Sequence, residues 1–274
     1  MIKKICVIGL MLIVFSSCAS RKFKDVPYFV NAQTKDSLKL NVFQPRTIKA
    51  DKLPVIIFVH GGYWAEGNKN IYGFLGRNFS KKDVVTVIPS YTLSPNANYS
   101  TMATEIAKAV EWTVENIKNY RGDPEQIFLM GHSAGGHLIA LISTNPKYLK
   151  QKKVVKGVIL NDAAGLDMYA YLQKHPPTKE YNFITTWTTK PEEWKKASPV
   201  YFIDKTTPPF LIYLGEKTYA SIKNQNAKFI EKLKRFQPKV TSIILNKKHV
   251  PMMKQYFIPW TKRYNEILNF IKEH

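Results

Sequence analysis

The chain has 274 residues, 45% of them hydrophobic and 22% charged, which suits one large domain with a sizeable core and excludes wholesale disorder. Its 41 Lys and Arg against 20 Asp and Glu give a formal charge of +21. The lysines are scattered in pairs such as Lys81-Lys82 and Lys247-Lys248, without zinc-ligand spacing, an RNP-like strand or a basic heptad. That pattern argues against a specific nucleic-acid site and for a solvated lysine-rich surface, one that favours contact with acidic polymers or lipid headgroups.

Met1-Ile2-Lys3-Lys4 is cationic, Ile5 to Phe15 is apolar, and Ser16-Ser17-Cys18-Ala19-Ser20 follows. This is the three-part secretory pattern, too short for a spanning helix. Phe15-Ser16-Ser17-Cys18 resembles a bacterial lipobox, with Phe where Leu is usual. Residues 1–17 are therefore expected to be a lipoprotein signal peptide. Cys18 is the expected lipidation site, residues 18–24 a tether, and residues 25–274 the folded domain. A lipid on Cys18 would anchor an exported bacterial lipoprotein to a membrane on the cell-envelope side. Cys6 would leave with the signal, so the mature chain has no pair of cysteines for a disulfide.

Tyr28–Ala32 and Leu38–Phe43 read as strands around the polar turn Thr34-Lys35-Asp36-Ser37. Val55–Val59, Val84–Ile88, Ile127–Met130, Val158–Leu160, Phe210–Leu214 and Ser242–Leu245 are short, continuously apolar runs, as in strands buried on both faces of a parallel sheet. Helical patterns alternate with them at Thr101–Asn119, Ala134–Ser143, Ala220–Phe236 and Trp260–Ile271. The alternation predicts an α/β fold, a mostly parallel sheet with helices on both faces. Residues 166–208, rich in proline and aromatics, break the rhythm and are expected to form a lid-like insertion.

Gly131-His132-Ser133-Ala134-Gly135 fits G-x-S-x-G between an apolar run and a helical segment. A serine nucleophile needs that context: a tight strand-to-helix turn with glycines that let backbones crowd, and free helix N–H groups nearby. His60-Gly61-Gly62-Tyr63-Trp64 follows another buried strand, where glycines can turn main-chain N–H groups toward a developing oxyanion.

His60–Trp64, Tyr91-Thr92-Leu93-Ser94-Pro95, Gly122–Ile127 and Gly131–His137 occur in an order and spacing that resembles the carboxylesterase branch of the α/β-hydrolases related to hormone-sensitive lipase, especially the feruloyl-esterase-like and kynurenine-formamidase-like groups. The resemblance covers roughly residues 41–274. It implies the α/β-hydrolase fold and an oxyanion hole from the N–H groups of Gly62, Tyr63 and Ala134. It also implies a histidine in the loop after the last strand, where His249 stands. His60, His132, His137, His175 and His274 fit the base role poorly.

The acid departs from the family pattern. These esterases usually carry an aspartate three residues after the glycine ending the penultimate strand, and here Thr218 follows Gly215 at that spacing. Threonine cannot stabilise an imidazolium as a carboxylate does. Asp162, in Asn161-Asp162-Ala163-Ala164-Gly165, resembles the pancreatic-lipase-type placement and is the preferred candidate, with Glu216 the alternative.

The expected function is cleavage of carboxylic esters through an acyl-enzyme on Ser133, with His249 as general base. The alternatives are amide or formamide hydrolysis and a catalytically impaired, membrane-tethered binding protein. The expected substrate is a small-molecule or saccharide-linked ester, with no metal or organic cofactor. Tyr63, Trp64, Tyr169, Tyr171, Trp187 and Trp194 are candidates for an aromatic pocket or for lid core.

Overall fold

The computed structural model describes residues 20–30, 37–47, 52–149 and 152–274. Residues 1–17, expected to be a signal peptide, and Cys18, the expected lipidation site, lie outside the described residues. Eight strands form one sheet: β1 (Ser20–Val30), β2 (Ser37–Pro45), β3 (Leu53–Val59), β4 (Val85–Pro89), β5 (Gly122–His132), β6 (Val155–Asn161), β7 (Phe210–Gly215) and β8 (Ser242–Leu245), in the order β1-β2-β4-β3-β5-β6-β7-β8. β3 through β8 run parallel, and β2 pairs antiparallel with both β1 and β4.

The continuously apolar runs become these strands for a simple reason. Side chains alternate across a strand, so both faces must be apolar where both are covered. On β3, Val55, Ile57 and Val59 enter one core while Ile56 and Phe58 enter the other. The first core lies under α2 (Tyr99–Asn116), α3 (Ala134–Thr144) and α7 (Ala220–Leu233). The opposite core lies under α1 (Gly73–Ser80), α8 (Pro251–Lys254) and α9 (Lys262–Glu273). Among the described residues no helix is long and apolar enough to cross a membrane.

Two features differ from the sequence expectation. Ser20 to Lys24, placed in the tether, belong to β1, which pairs with β2 from Ser20↔Pro45 onward. Its alternation is weak because the strand is an edge with only part of one face covered, where Phe23 meets Tyr120 edge to face. The second feature is α1, which carries two glycines and no conspicuous stripe. It forms because Phe74, Leu75 and Phe79 bury against the sheet, while Gly76 makes room for the Phe43 ring.

Residues 166–208 enter between β6 and β7 as α4 (Met168–Lys174), α5 (Phe183–Trp187), α6 (Pro191–Lys196) and short 3-10 turns. The insertion is packed down rather than loose. Trp187 is fully buried, edge to face with Trp64 at 4.7 Å, and Thr186 Oγ1 donates to Ser94 Oγ at 2.8 Å. The sheet's parallel strands all end at one edge, the edge where β5 leads into α3.

Gly157 offers a check on the second core. A Cβ there would meet the Phe270 ring at 2.6 Å, so β6 accepts α9 only because that position lacks a side chain. Gly157→Ala is expected to cost about 1–3 kcal/mol by overpacking, measured by urea unfolding. An unchanged midpoint would show that α9 docks differently.

Candidate active site

Ser133 lies between β5 and α3 with φ 53° and ψ −121°, a left-handed conformation that costs a non-glycine residue about 1–3 kcal/mol. The surroundings hold it there. Its N–H donates to the Asn161 carbonyl at 3.3 Å, and its own carbonyl accepts from the N–H groups of His137 and Ala164. The flanking glycines are steric necessities. A Cβ on Gly135 would lie 2.1 Å from the Val59 carbonyl oxygen, and one on Gly131 would lie 2.7 Å from the Gly135 backbone.

The bend aims the hydroxyl at His249, which lies between β8 and α8. Ser133 Oγ is 2.8 Å from His249 Nε2, and His249 Nδ1 is 2.6 Å from Asp162 Oδ2. The ionised carboxylate can only accept, so Nδ1 carries the imidazole proton and Nε2 accepts from the serine hydroxyl. Asp162 is fully buried just past β6, with φ 54°. Its Oδ1 accepts the Gly215 N–H at 2.8 Å and its Oδ2 the Thr218 hydroxyl at 2.5 Å. Asp162 is thus the carboxylate at the imidazole. Glu216 is exposed beyond the end of β7, with its own N–H directed back to the Leu245 carbonyl, and does not take this place. The threonine that breaks the family pattern has a clear part here: it donates to the carboxylate that has moved one strand over.

The glycine turn after β3 closes over the serine. A Cβ on Gly61 would stand 2.9 Å from Ser133 Cβ. Gly62 has φ 129°, Tyr63 φ 51° and Trp64 φ 60°, and the turn is closed by the N–H groups of Ala65 and Glu66 donating to the Gly62 carbonyl. Among the described residues the N–H groups of Gly62 and Tyr63 have no protein acceptor. Ala134 opens α3, where the first N–H groups of a helix are unpaired and carry its positive dipole end.

Two histidines of the motif have positions the sequence left open. His132 stacks on His249, with centroids 4.8 Å apart, and donates from Nε2 to the His249 carbonyl at 3.2 Å. The Trp64 indole N–H donates to His137 Nδ1 at 3.1 Å, so His137 carries its proton on Nε2 and donates to the Ala197 carbonyl at 2.7 Å. His137 thereby ties the glycine turn and α3 to the insertion.

A cavity of about 250 Å³ opens at Ser133 and His249. Its walls include Tyr63, Trp64, Met168, Tyr171, Phe183 and Tyr219. Of the six aromatics singled out in the sequence, Tyr63, Trp64 and Tyr171 reach it. Trp187 and Trp194 are buried support, and Tyr169 packs on Tyr201 instead. Phe183 and Tyr219 were not foreseen, since neither belongs to a motif. Tyr63 stacks on Tyr181 at the mouth, and the Tyr219 hydroxyl, burial and neighbouring phenols push its phenol up to about 12.

The family model described as BD-FAE matches residues 40–233, more than half of the chain. The chain belongs to the BD-FAE family. Among curated proteins, this BD-FAE chain is 26% identical over 209 residues to Esterase LipC of Mycobacterium tuberculosis, covering 71% of the chain and 52% of LipC. It is 26% identical over 245 residues to the isoprenylcysteine alpha-carbonyl methylesterase ICME of Arabidopsis thaliana, covering 81% and 57%. It is 33% identical over 123 residues to kynurenine formamidase of Salmo salar, covering 44% and 40%. The chain thus spans about half the length of the curated relatives it matches. Among solved structures, it is similar to esterase B of Lactobacillus rhamnosis, with TM-score 0.73, 17% identity and coverage of 93% and 86%. A fungal esterase of Rhizomucor miehei gives TM-score 0.72, 23% identity and coverage of 93% and 83%. These likenesses establish the α/β-hydrolase fold.

Burial holds the imidazoles of His132 and His137 at about 4, the nearby His249 adding to the effect on His132. Both histidines are therefore neutral when folded at pH 5, whereas in the unfolded chain they take up protons below about 6.5. The unfolded state binds more protons in this window, so stability falls as pH drops from about 6.5 toward 4, by at most about 1.4 kcal/mol per pH unit for each histidine. Imidazole carbon shifts followed by NMR are expected to show two histidines that do not titrate above pH 5. Titration of all of them near neutrality would contradict the burial.

Proposed function

We propose that this chain hydrolyses carboxylic esters through an acyl-enzyme on Ser133. The observation that carries the reading is the continuous hydrogen-bonded line from Ser133 Oγ through the His249 ring to Asp162, with contacts of 2.8 and 2.6 Å. In this scheme His249 Nε2 takes the hydroxyl proton as Ser133 attacks the ester carbonyl. Asp162 stabilises the imidazolium, itself held by Thr218 and Gly215. The N–H groups of Gly62, Tyr63 and Ala134 receive the oxyanion. The tetrahedral adduct then expels the alcohol, which leaves with the proton from His249. Water attacks the acyl-serine by the same route in reverse order, releasing the carboxylic acid and the free serine.

The esterase names of LipC and ICME support the ester as the bond cleaved. The likeness to a kynurenine formamidase favours formamide hydrolysis as a second reading, which would use the same three side chains. The largely aromatic 250 Å³ cavity suits a compact apolar acyl or alcohol group.

Turnover of p-nitrophenyl esters is expected in the wild-type chain, together with covalent labelling of Ser133 by a fluorophosphonate. Ser133→Ala is expected to lose at least about a thousandfold in kcat, and Asp162→Asn a similar amount. Thr218→Val is expected to lose about tenfold, the effect of one hydrogen bond to a charged group, and Glu216→Gln little. Crippling by Glu216→Gln with a tolerated Asp162→Asn would reverse the acid assignment. Faster turnover of an N-formyl aryl amide than of any aryl ester would favour the formamide reading.

For location we propose, on the pattern of residues 1–18, a lipid anchor at Cys18. Metabolic labelling with palmitate in a bacterial host is expected to mark the protein and to be lost in Cys18→Ser. Unchanged labelling, or none in either form, would refute the anchor.

A further inference from the structure

Beside the serine cavity lies a second one of about 310 Å³, and the two share the side chains of Tyr171, Ser221 and Gln225 as a common wall. Its lining carries charged and amide groups among apolar surface: Lys174 and His175 at the end of α4, Asn224 and Lys228 on α7, and Asp167. Asp167 is buried and already engaged: one oxygen caps α4 through the Ala170 N–H and the other is paired with Lys228. Among the described residues Lys174 has no carboxylate partner. Two lysines against one carboxylate leave a single positive charge, which balances a monoanion better than a doubly charged phosphate.

The surroundings add to that field. The ammonium groups of Lys195, Lys228 and Lys232 lie 5.5, 5.6 and 6.0 Å from the centre of the Tyr201 ring, so two further cations stand near the Lys228 that lines the cavity. Gln225 is placed to speak to both cavities. Its Oε1 accepts the Asp167 N–H at 2.9 Å, which leaves its amide N–H₂ as a donor on the shared wall.

We propose that this second cavity is a subsite for a carboxylate carried by the ester substrate, so that the enzyme prefers esters with a negative charge a fixed distance from the scissile bond. The inference rests on the esterase reading of Ser133 and adds the substrate class to it. Lys174 supplies the charge, and Asn224 and Gln225 supply neutral donors that fix the carboxylate's orientation. A chain too short or too long to bridge the shared wall gains nothing. Selection is therefore by length as well as by charge, and it weakens with added salt because Lys174 is exposed.

The test compares two series at low ionic strength. One is the p-nitrophenyl half-esters of adipic to suberic acid against p-nitrophenyl esters of the neutral acyl chains of equal length. The other is butyrate esters of ω-hydroxy acids against butyrate esters of the matching alkanols. In one series, at one or two lengths, the charged ester is expected to have a kcat/KM about tenfold higher, mainly through KM, as for one charge-assisted hydrogen bond. Lys174→Glu is expected to bring the ratio to about one or below. Lys118→Glu, an equally exposed lysine at the opposite end of the sheet, is expected to leave the ratio unchanged. Turnover of neutral esters with no charge preference in either series overturns the subsite and leaves the Ser133 reading standing, as does a preference that survives Lys174→Glu. Turnover of no ester overturns the Ser133 reading. Calorimetry of monomethyl adipate with Ser133→Ala then judges the subsite independently: binding that weakens in the Lys174→Glu background supports it, and no binding overturns it.

Discussion

The site depends on one backbone constraint, a serine held in the left-handed region at the end of a buried parallel strand. An L-residue does not stay there without support. Here support comes from the Asn161 carbonyl on β6 and from the backbone of β3, which Gly135 approaches so closely that no side chain fits. The strain and the glycines are two aspects of one arrangement. The hydroxyl can stand clear of both sheet and helix only because the chain turns so sharply, and the chain can turn so sharply only where neighbouring backbones lack Cβ atoms.

From that bend the remaining parts find their places by strand order. β5 leads into the serine, β6 leads into Asp162, β7 ends in Gly215, and β8 leads to His249, in adjacent positions across the sheet. Any loop after β6 or β7 is therefore within reach of the imidazole. This explains how the acid can stand on β6 without disturbing the rest. Thr218, left without a carboxylate, is close enough to donate to one. A buried carboxylate accepting from an N–H, a hydroxyl and an imidazole has its lone pairs well used, and its orientation is fixed before any substrate arrives.

Histidines that do not face the serine also shape the site. His132 grips the loop that carries His249, and His137 bridges Trp64 and Ala197, so the glycine turn and the insertion are tied to the same helix. Burial keeps both rings neutral, which leaves His137 free to accept the Trp64 N–H on Nδ1 while Nε2 donates to Ala197. The insertion then contributes Met168, Tyr171 and Phe183 to the serine cavity and Lys174 and His175 to its neighbour. One added segment thus lines two adjoining cavities, with lysines only in the second.

Much was legible in the order of residues alone. Apolar runs predicted the inner strands to within a few residues, because a strand covered on both faces must be apolar throughout. G-x-S-x-G located the bend, because few sequences permit that crowding. The candidate base stood out because the family resemblance calls for a histidine after the last strand, where His249 stands. The choice between Asp162 and Glu216 was legible only as a preference for Asp162. Both follow parallel strands, and which one points inward depends on where each strand ends relative to its neighbour, a register fixed only when the sheet assembles. The same holds for β1, whose first residues are too polar to announce an edge strand, and for α1, whose glycines make sense only against Phe43. The pairing of two cavities across Gln225 was equally hidden, since α4 and α7 meet only through the packing of the insertion. Local pattern determined where strands, bend and base lie along the chain. Tertiary packing decided which polar side chains face one another, because burial and direction are properties of neighbours far apart in sequence.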